Sequence, residues 1–86
     1  MNTFKLIVSS PDGDFYNDQA EALYLRGHDG DLAVMAGHVP FMTSVKPCVC
    51  RIVTADGQEK AADIAGGLLT VSAKSAVLLS STFAWK

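Results

Sequence analysis

The side chains with the potential for chemistry in this 86-residue chain are two cysteines, two histidines and a set of aspartates beside glycines. Cys48 and Cys50 stand two apart, so on a strand they share a face. A metal centre would need two further ligands converging on them, and His28 and His38 lie in another part of the chain. A disulfide between the two would close a very tight ring. The reading is therefore two reduced thiols acting as small hydrophobes.

His38, in Gly37-His38-Val39-Pro40, has Asp29 and Asp31 upstream and Thr43 and Ser44 downstream. General acid–base or nucleophilic work needs a base, an orienting carboxylate and a nucleophile within hydrogen-bond reach. No spacing here fixes such a group, so His38 reads as a loop or interface residue and no catalytic residue is assigned. Asp12-Gly13-Asp14 and Asp29-Gly30-Asp31 supply two carboxylates each, too few for a calcium loop. Asp-Gly pairs are turn chemistry instead. Gly66-Gly67 lacks the Lys-Ser/Thr that would follow in a phosphate loop. Neither a cofactor nor a metal is expected.

The elements that carry these residues are strands. Phe4, Leu6 and Val8 alternate with polar residues, and Pro11-Asp12-Gly13 turns the chain. Phe15-Tyr16 restart it. Ala22–Leu25, Leu32–Met35, Phe41–Val45, Val49–Thr54, Lys60–Ala65, Leu68–Val71 and Ala76–Leu79 follow as strands. Asp56-Gly57 closes a hairpin and Gly66-Gly67 breaks or bulges the chain. Asn17–Leu25 admits a short helix as the alternative. About eight short strands at this spacing predict an all-β sandwich or barrel in a single domain.

The stretch Gly27–Pro47 concentrates glycine, proline, histidine and acid around two short apolar runs. Loops of fixed shape on a small β scaffold are usually recognition surfaces. A net charge of −2, with the seven Lys and Arg scattered, argues against nucleic acid as partner. No apolar run approaches eighteen residues, so no direct membrane insertion is expected. The start Met-Asn-Thr-Phe-Lys carries no secretory signal, so reduced thiols in a cytoplasmic-type compartment are expected.

Four blocks of residues resemble one known family. They are Phe4-x-Leu6-x-Val8-x-x-Pro11-x-Gly13; Gly30-Asp31-Leu32-Ala33-Val34 with Gly37-His38-x-Pro40; Val45-Lys46-Pro47 with Val49-x-Arg51-Ile52; and Ile64-x-Gly66-Gly67-x-Leu69-x-Val71 with Val77-x-Leu79. In order and without gaps, they resemble the N-terminal β-sandwich domain of the epsilon subunit of F-type ATP synthases (delta in mitochondria). Ala36, Cys48 and Ser80-Ser81 stand where the family usually has Pro, Gly and Ala-Asp.

The resemblance implies a flattened antiparallel β-sandwich of about 8–10 short strands spanning residues 1–86, without the family's C-terminal helical hairpin. It also implies a non-catalytic central-stalk rotor subunit. Such a subunit docks the γ subunit onto the c ring and couples proton flow to ATP synthesis, with no small-molecule substrate. By position, Ser10, His38, Val39, Met42 and Thr43 match the side facing γ, and Arg26, His28, Asp29 and Asp31 match the side facing the polar loops of the c ring. The implied location is peripheral, on the cytoplasmic face of a bacterial plasma membrane or the equivalent stromal or matrix side. Two other readings stand beside this one: a free-standing protein- or ligand-binding sandwich, and a small hydrolase or metal protein using His38.

Overall fold

The computed structural model describes residues 2–37 and 39–86. Nine strands follow one another along the chain: β1 (Phe4–Ser10), β2 (Gly13–Gly27), β3 (Gly30–Met35), β4 (Phe41–Val45), β5 (Cys48–Thr54), β6 (Glu59–Ile64), β7 (Gly67–Val71), β8 (Ser75–Leu79) and β9 (Phe83–Trp85). The eight expected strands differ from these in two places. Phe15-Tyr16 and Ala22–Leu25 belong to a single strand, β2, of 15 residues; the alternative helix over Asn17–Leu25 does not form. A ninth strand, β9, follows the last one expected and pairs with β6.

β2 is the member that makes the sandwich. Its first half pairs with β1, from Ser10↔Gly13 to Phe4↔Ala20. Its second half pairs with β5 through Ala20–Tyr24 and with β3 through Ala22–Gly27. Gly27 at its end meets Val45 of β4. Two register shifts, one at Phe15 against β1 and one at Glu21 against β5, let so long a strand bend from one layer into the other, because a bulge turns and twists the strand that carries it.

One layer runs β1-β8-β7-β4 and the other is built from β2, β3, β5, β6 and β9. The pairings are antiparallel except β1–β8, which is parallel, Lys5↔Ser75 through Ser9↔Leu79. That exception to the antiparallel expectation follows from connectivity: β8 is the last strand of its layer and lies against β1, the first strand of the chain.

The core is what alternation dictates. Leu6, Val8, Val45, Leu69, Val71, Ala76 and Leu78 from the first layer meet Leu23, Leu25, Val34, Cys50, Ile52, Ala62 and Ile64 from the second, all buried. An aromatic cluster closes one side: Phe15 stacks on Phe83 with centroids 5.1 Å apart. Trp85 stands edge-on to Phe83 at 4.7 Å and to Tyr16 at 6.5 Å. Gly66 and Gly67 join the layers where no side chain fits. A Cβ on Gly67 would lie 1.9 Å from the carbonyl oxygen of Leu79, and one on Gly66 2.6 Å from that of Val45. The Ser80 hydroxyl, buried beside them, lies within donor reach of the carbonyls of Gly66 at 2.7 Å and Thr82 at 2.9 Å.

Candidate interaction faces

Burying one face of each layer leaves two outer faces, and they differ in kind. On the outside of β1-β8-β7-β4 the strand register builds two rows. Ile7, Val77, Thr70 and Met42 lie side by side, as do Ser9, Leu79, Leu68 and Ser44. Met42 is 65% exposed, Leu79 47% and Leu68 38%. These four strands contain one charged residue, Lys5. An exposed apolar face depleted of charge is the composition of an interface core.

The outside of the second layer carries ion pairs beside the exposed Met35 and Val49, with the exposed Trp85 on its edge strand. Arg26 Nε donates to Asp31 Oδ1 at 3.2 Å across the β2–β3 hairpin. Arg51 reaches toward Glu59 at 3.6 Å and lies over the Tyr24 ring at 5.6 Å, and Lys86 stands 3.9 Å from Asp63. Each pair is exposed, so it is worth little to the fold.

The nine residues assigned from the family distribute over these surfaces as follows. Met42 sits on the apolar face. Ser10 stands at its edge: with Ser9, Pro11, Leu79, Ser80 and Ser81 it lines a cleft of about 400 Å³. Its hydroxyl is engaged in the β1–β2 turn, donating to the Gly13 carbonyl at 3.2 Å and accepting from the Asp12 amide at 3.1 Å. Val39 is 78% exposed in the loop before β4. His38 lies outside the described residues, and with it the hydrolase reading built on it.

Thr43 points the other way from Met42. It pairs with buried Leu69, and its methyl carbon would stand 3.7 Å from a Cβ on Gly27. The structure thus separates Thr43 from the apolar face and sets it against the hairpin, because neighbours on a strand look to opposite sides. Arg26, His28, Asp29 and Asp31 do cluster, on that hairpin. His28 Nε2 and Asp29 Oδ1 are 4.0 Å apart, both exposed.

The sequence reading passed over Ile7, Leu68, Val77 and Leu79. Their signal was present in Leu68-Leu69 and in Val77-Leu78-Leu79, where apolar residues occupy both parities of a strand that needs only one for the core.

The thiols are as expected: Cys50 is buried, Cys48 half-buried, and both are free. Burial above all, then the neighbouring Cys48, pushes the Cys50 thiol from an ordinary value of 9.0 up to about 11, which makes it inert at neutral pH. The Asp-Gly pairs are turns. At one of them, the Thr54 hydroxyl donates to the Asp56 carboxylate and holds its carboxyl below the ordinary range.

A family model described as the beta-sandwich domain of the ATP synthase delta/epsilon chain matches residues 3–86. The chain belongs to this family. It is 32% identical over 83 residues to the ATP synthase epsilon chain, sodium ion specific, of Acetobacterium woodii, a match covering 96% of this chain and 62% of that one. The chain thus spans less than two thirds of that relative's length. Among solved structures it resembles a chain of the Euglena gracilis mitochondrial ATP synthase, seen with its c-ring, at a TM-score of 0.90 and 18% identity, covering 96% of this chain and 53% of that one. It resembles a chain of the Tetrahymena thermophila mitochondrial ATP synthase central stalk and c-ring at a TM-score of 0.79 and 10% identity, covering 95% and 66%. At those identities the likeness is one of fold, and it agrees with the delta/epsilon sandwich reading of the sequence.

Proposed function

We propose that residues 1–86 form the β-sandwich of a non-catalytic central-stalk subunit of an ion-translocating F-type ATP synthase. In this reading the apolar outer face docks the γ subunit, the β2–β3 hairpin faces the c ring, and the two contacts together join shaft to ring so that ion flow drives ATP synthesis. The observation that carries it is the contrast between the outer faces: Ile7, Met42, Leu68, Val77 and Leu79 lie contiguous on one, and the Arg26–Asp31 and Arg51–Glu59 pairs on the other. An apolar, charge-poor face suits a permanent contact, since obligate interfaces resemble a core cut in half. A charged, solvated hairpin suits a wetter contact with polar loops.

Thr43, set against Gly27, belongs in this proposal with the hairpin rather than with Met42; Ser10, Val39 and His38 remain assigned to the γ side. The subunit is peripheral, held on the membrane through the ring.

The test is binding of the chain to purified γ and, separately, to detergent-solubilised c ring. Saturable binding to both, with the γ contact insensitive to salt and the ring contact weakened by it, is the expected result. No affinity for either would refute the proposal.

A further inference from the structure

β1 and β8 are the parallel pair, so they end side by side, Ser9 against Leu79. From there the chain leaves both strands for the other layer, through the Pro11-Asp12 turn into β2 and through residues 80–82 into β9. Between the two departing segments lies the cleft of about 400 Å³ lined by Ser9, Ser10, Pro11, Leu79, Ser80 and Ser81. It is the end of the apolar face: Leu79, about half exposed, is both its wall and a member of the row Ser9, Leu79, Leu68 and Ser44.

Four of its six lining residues are serines, so its composition reads as polar. The hydroxyls of three of them are engaged by the chain itself. Ser9 Oγ makes a long contact to the Ser10 carbonyl at 3.5 Å. Ser10 Oγ donates to the Gly13 carbonyl and accepts from the Asp12 amide, and Ser80 Oγ lies within donor reach of the Gly66 and Thr82 carbonyls. The backbone joins the two segments in the same way, the Ser80 amide donating to the Ser9 carbonyl at 2.9 Å. What remains on the walls is mainly carbon, from Leu79, Pro11 and the serines. Among the described residues that line the cleft none is charged.

We infer that this cleft receives one bulky, uncharged apolar side chain of the γ subunit, as the anchor of the docking face. The inference rests on the γ-docking reading of that face and deepens it. Continuity selects the partner: whatever covers Leu68 and Leu79 also covers the mouth of the cleft. Chemistry selects the side chain. A charged group would lose its water here and meet no opposite charge on the walls, whereas an apolar one removes carbon surface from water on both sides. Size selects the number: the cleft stands at the low end of the roughly 300–1,000 Å³ of small-molecule pockets, room for one anchor rather than for a segment. A side chain seated in such a pocket is where an interface concentrates its binding energy.

The experiment measures binding to purified γ for wild type, Leu79→Ala, Ser81→Asp and Ser81→Lys, each checked for an unchanged β-type spectrum. Leu79→Ala should bind about tenfold more weakly. The two charges at Ser81 should both weaken binding, by about tenfold or more, because an apolar occupant tolerates neither sign. Changing the surface apolar residues of γ to alanine one at a time should find one whose effect disappears in Leu79→Ala and persists in Met42→Ala, two strands away, since only residues in contact couple. Opposite responses to Ser81→Asp and Ser81→Lys would reveal a charged occupant and overturn the inference. Wild-type affinity in all three variants, alongside weakened binding by Met42→Asp, would overturn it and leave the docking face standing. No γ binding by the wild type would overturn both. Self-association of the free chain that Leu79→Ala abolishes, with γ binding unchanged, would reassign the cleft to a second copy and overturn the inference.

Discussion

Met42 and Thr43, neighbours in β4, look to opposite faces of their layer: Met42 pairs with Thr70 on the apolar outer face, and Thr43 with buried Leu69 on the inner side, against Gly27 of the β2–β3 hairpin. The two should therefore answer differently to the same insult. Met42→Asp, on a side chain 65% exposed, should leave folding within about 0.5 kcal/mol but weaken γ binding by about 2–5 kcal/mol, because it buries an unpaired charge in the contact. Thr43→Asp, half-buried, should instead destabilise the domain by about 1–3 kcal/mol. Urea unfolding of both variants beside γ titration separates the two outcomes; equal loss of γ affinity at equal stability would contradict this geometry.

Gly67→Ala should be among the costliest single changes in the chain. Its new Cβ would meet the Leu79 carbonyl at 1.9 Å, a backbone atom with no rotamer to escape into, at a φ of +157°. The β7–β8 ladder must shift to make room, at about 2–4 kcal/mol. Urea midpoints of the variant and of Gly57→Ala, in an open turn where a Cβ would meet nothing within 4 Å, give the comparison. A smaller effect at Gly67 would count against the close crossing.

The thiols make a pH prediction. Cys50 has its folded-state value raised from 9.0 to about 11, so the native state holds the proton longer than the unfolded chain does. Its contribution is complete below pH 9 and is lost as pH rises toward 11, where the unfolded state alone has released the proton. The fall between these pH values should be steeper in wild type than in Cys50→Ala, read by urea unfolding at each pH under reducing conditions. At neutral pH a thiol reagent should modify Cys48 in the native protein and reach Cys50 only after unfolding. Equal labelling rates for the two would contradict the burial.

Trp85, the only tryptophan, should matter to stability although it is 46% exposed. It stands edge-on to Phe83 and Tyr16, and the Lys60 ammonium lies 5.8 Å from its ring centre. Aromatic pairs contribute about 0.5–1.5 kcal/mol each beyond area. Trp85→Ala should thus cost about 1–3 kcal/mol, followed by circular dichroism. A neutral variant would mean that β9 is held by its backbone alone.

These results mark where the chain could be read and where it could not. Strands bounded by Asp-Gly or Gly-Gly were legible because turn residues and period-two alternation are local. The unity of β2 was not: Asn17-Asp18-Gln19 breaks the apolar pattern, and continuity comes from hairpin pairing with β1 along Gly13–Ala20, which backbone hydrogen bonds make and side-chain alternation does not show. β9 is three residues long and has no alternation to detect; it is defined by β6 and the Phe15–Phe83 stack. At the candidate site, the hairpin cluster of Arg26, His28, Asp29 and Asp31 was visible because it is contiguous in sequence. The apolar face was not, because Ile7, Met42, Leu68 and Leu79 come from four strands and meet only through register. The family pattern named Met42 and Thr43 together; that they stand on opposite faces of β4 follows from the register alone.

The central claim is that the apolar, charge-poor face of β1-β8-β7-β4 is the docking surface for γ. Amide hydrogen exchange of the chain, free and bound to purified γ, tests it most directly. The claim requires new protection along β4, β7 and β8, centred on Met42, Leu68 and Leu79, with β5 and the Arg26–Asp31 hairpin exchanging as in the free chain. Protection confined to the hairpin and β5, with β7 and β8 unchanged, would contradict it.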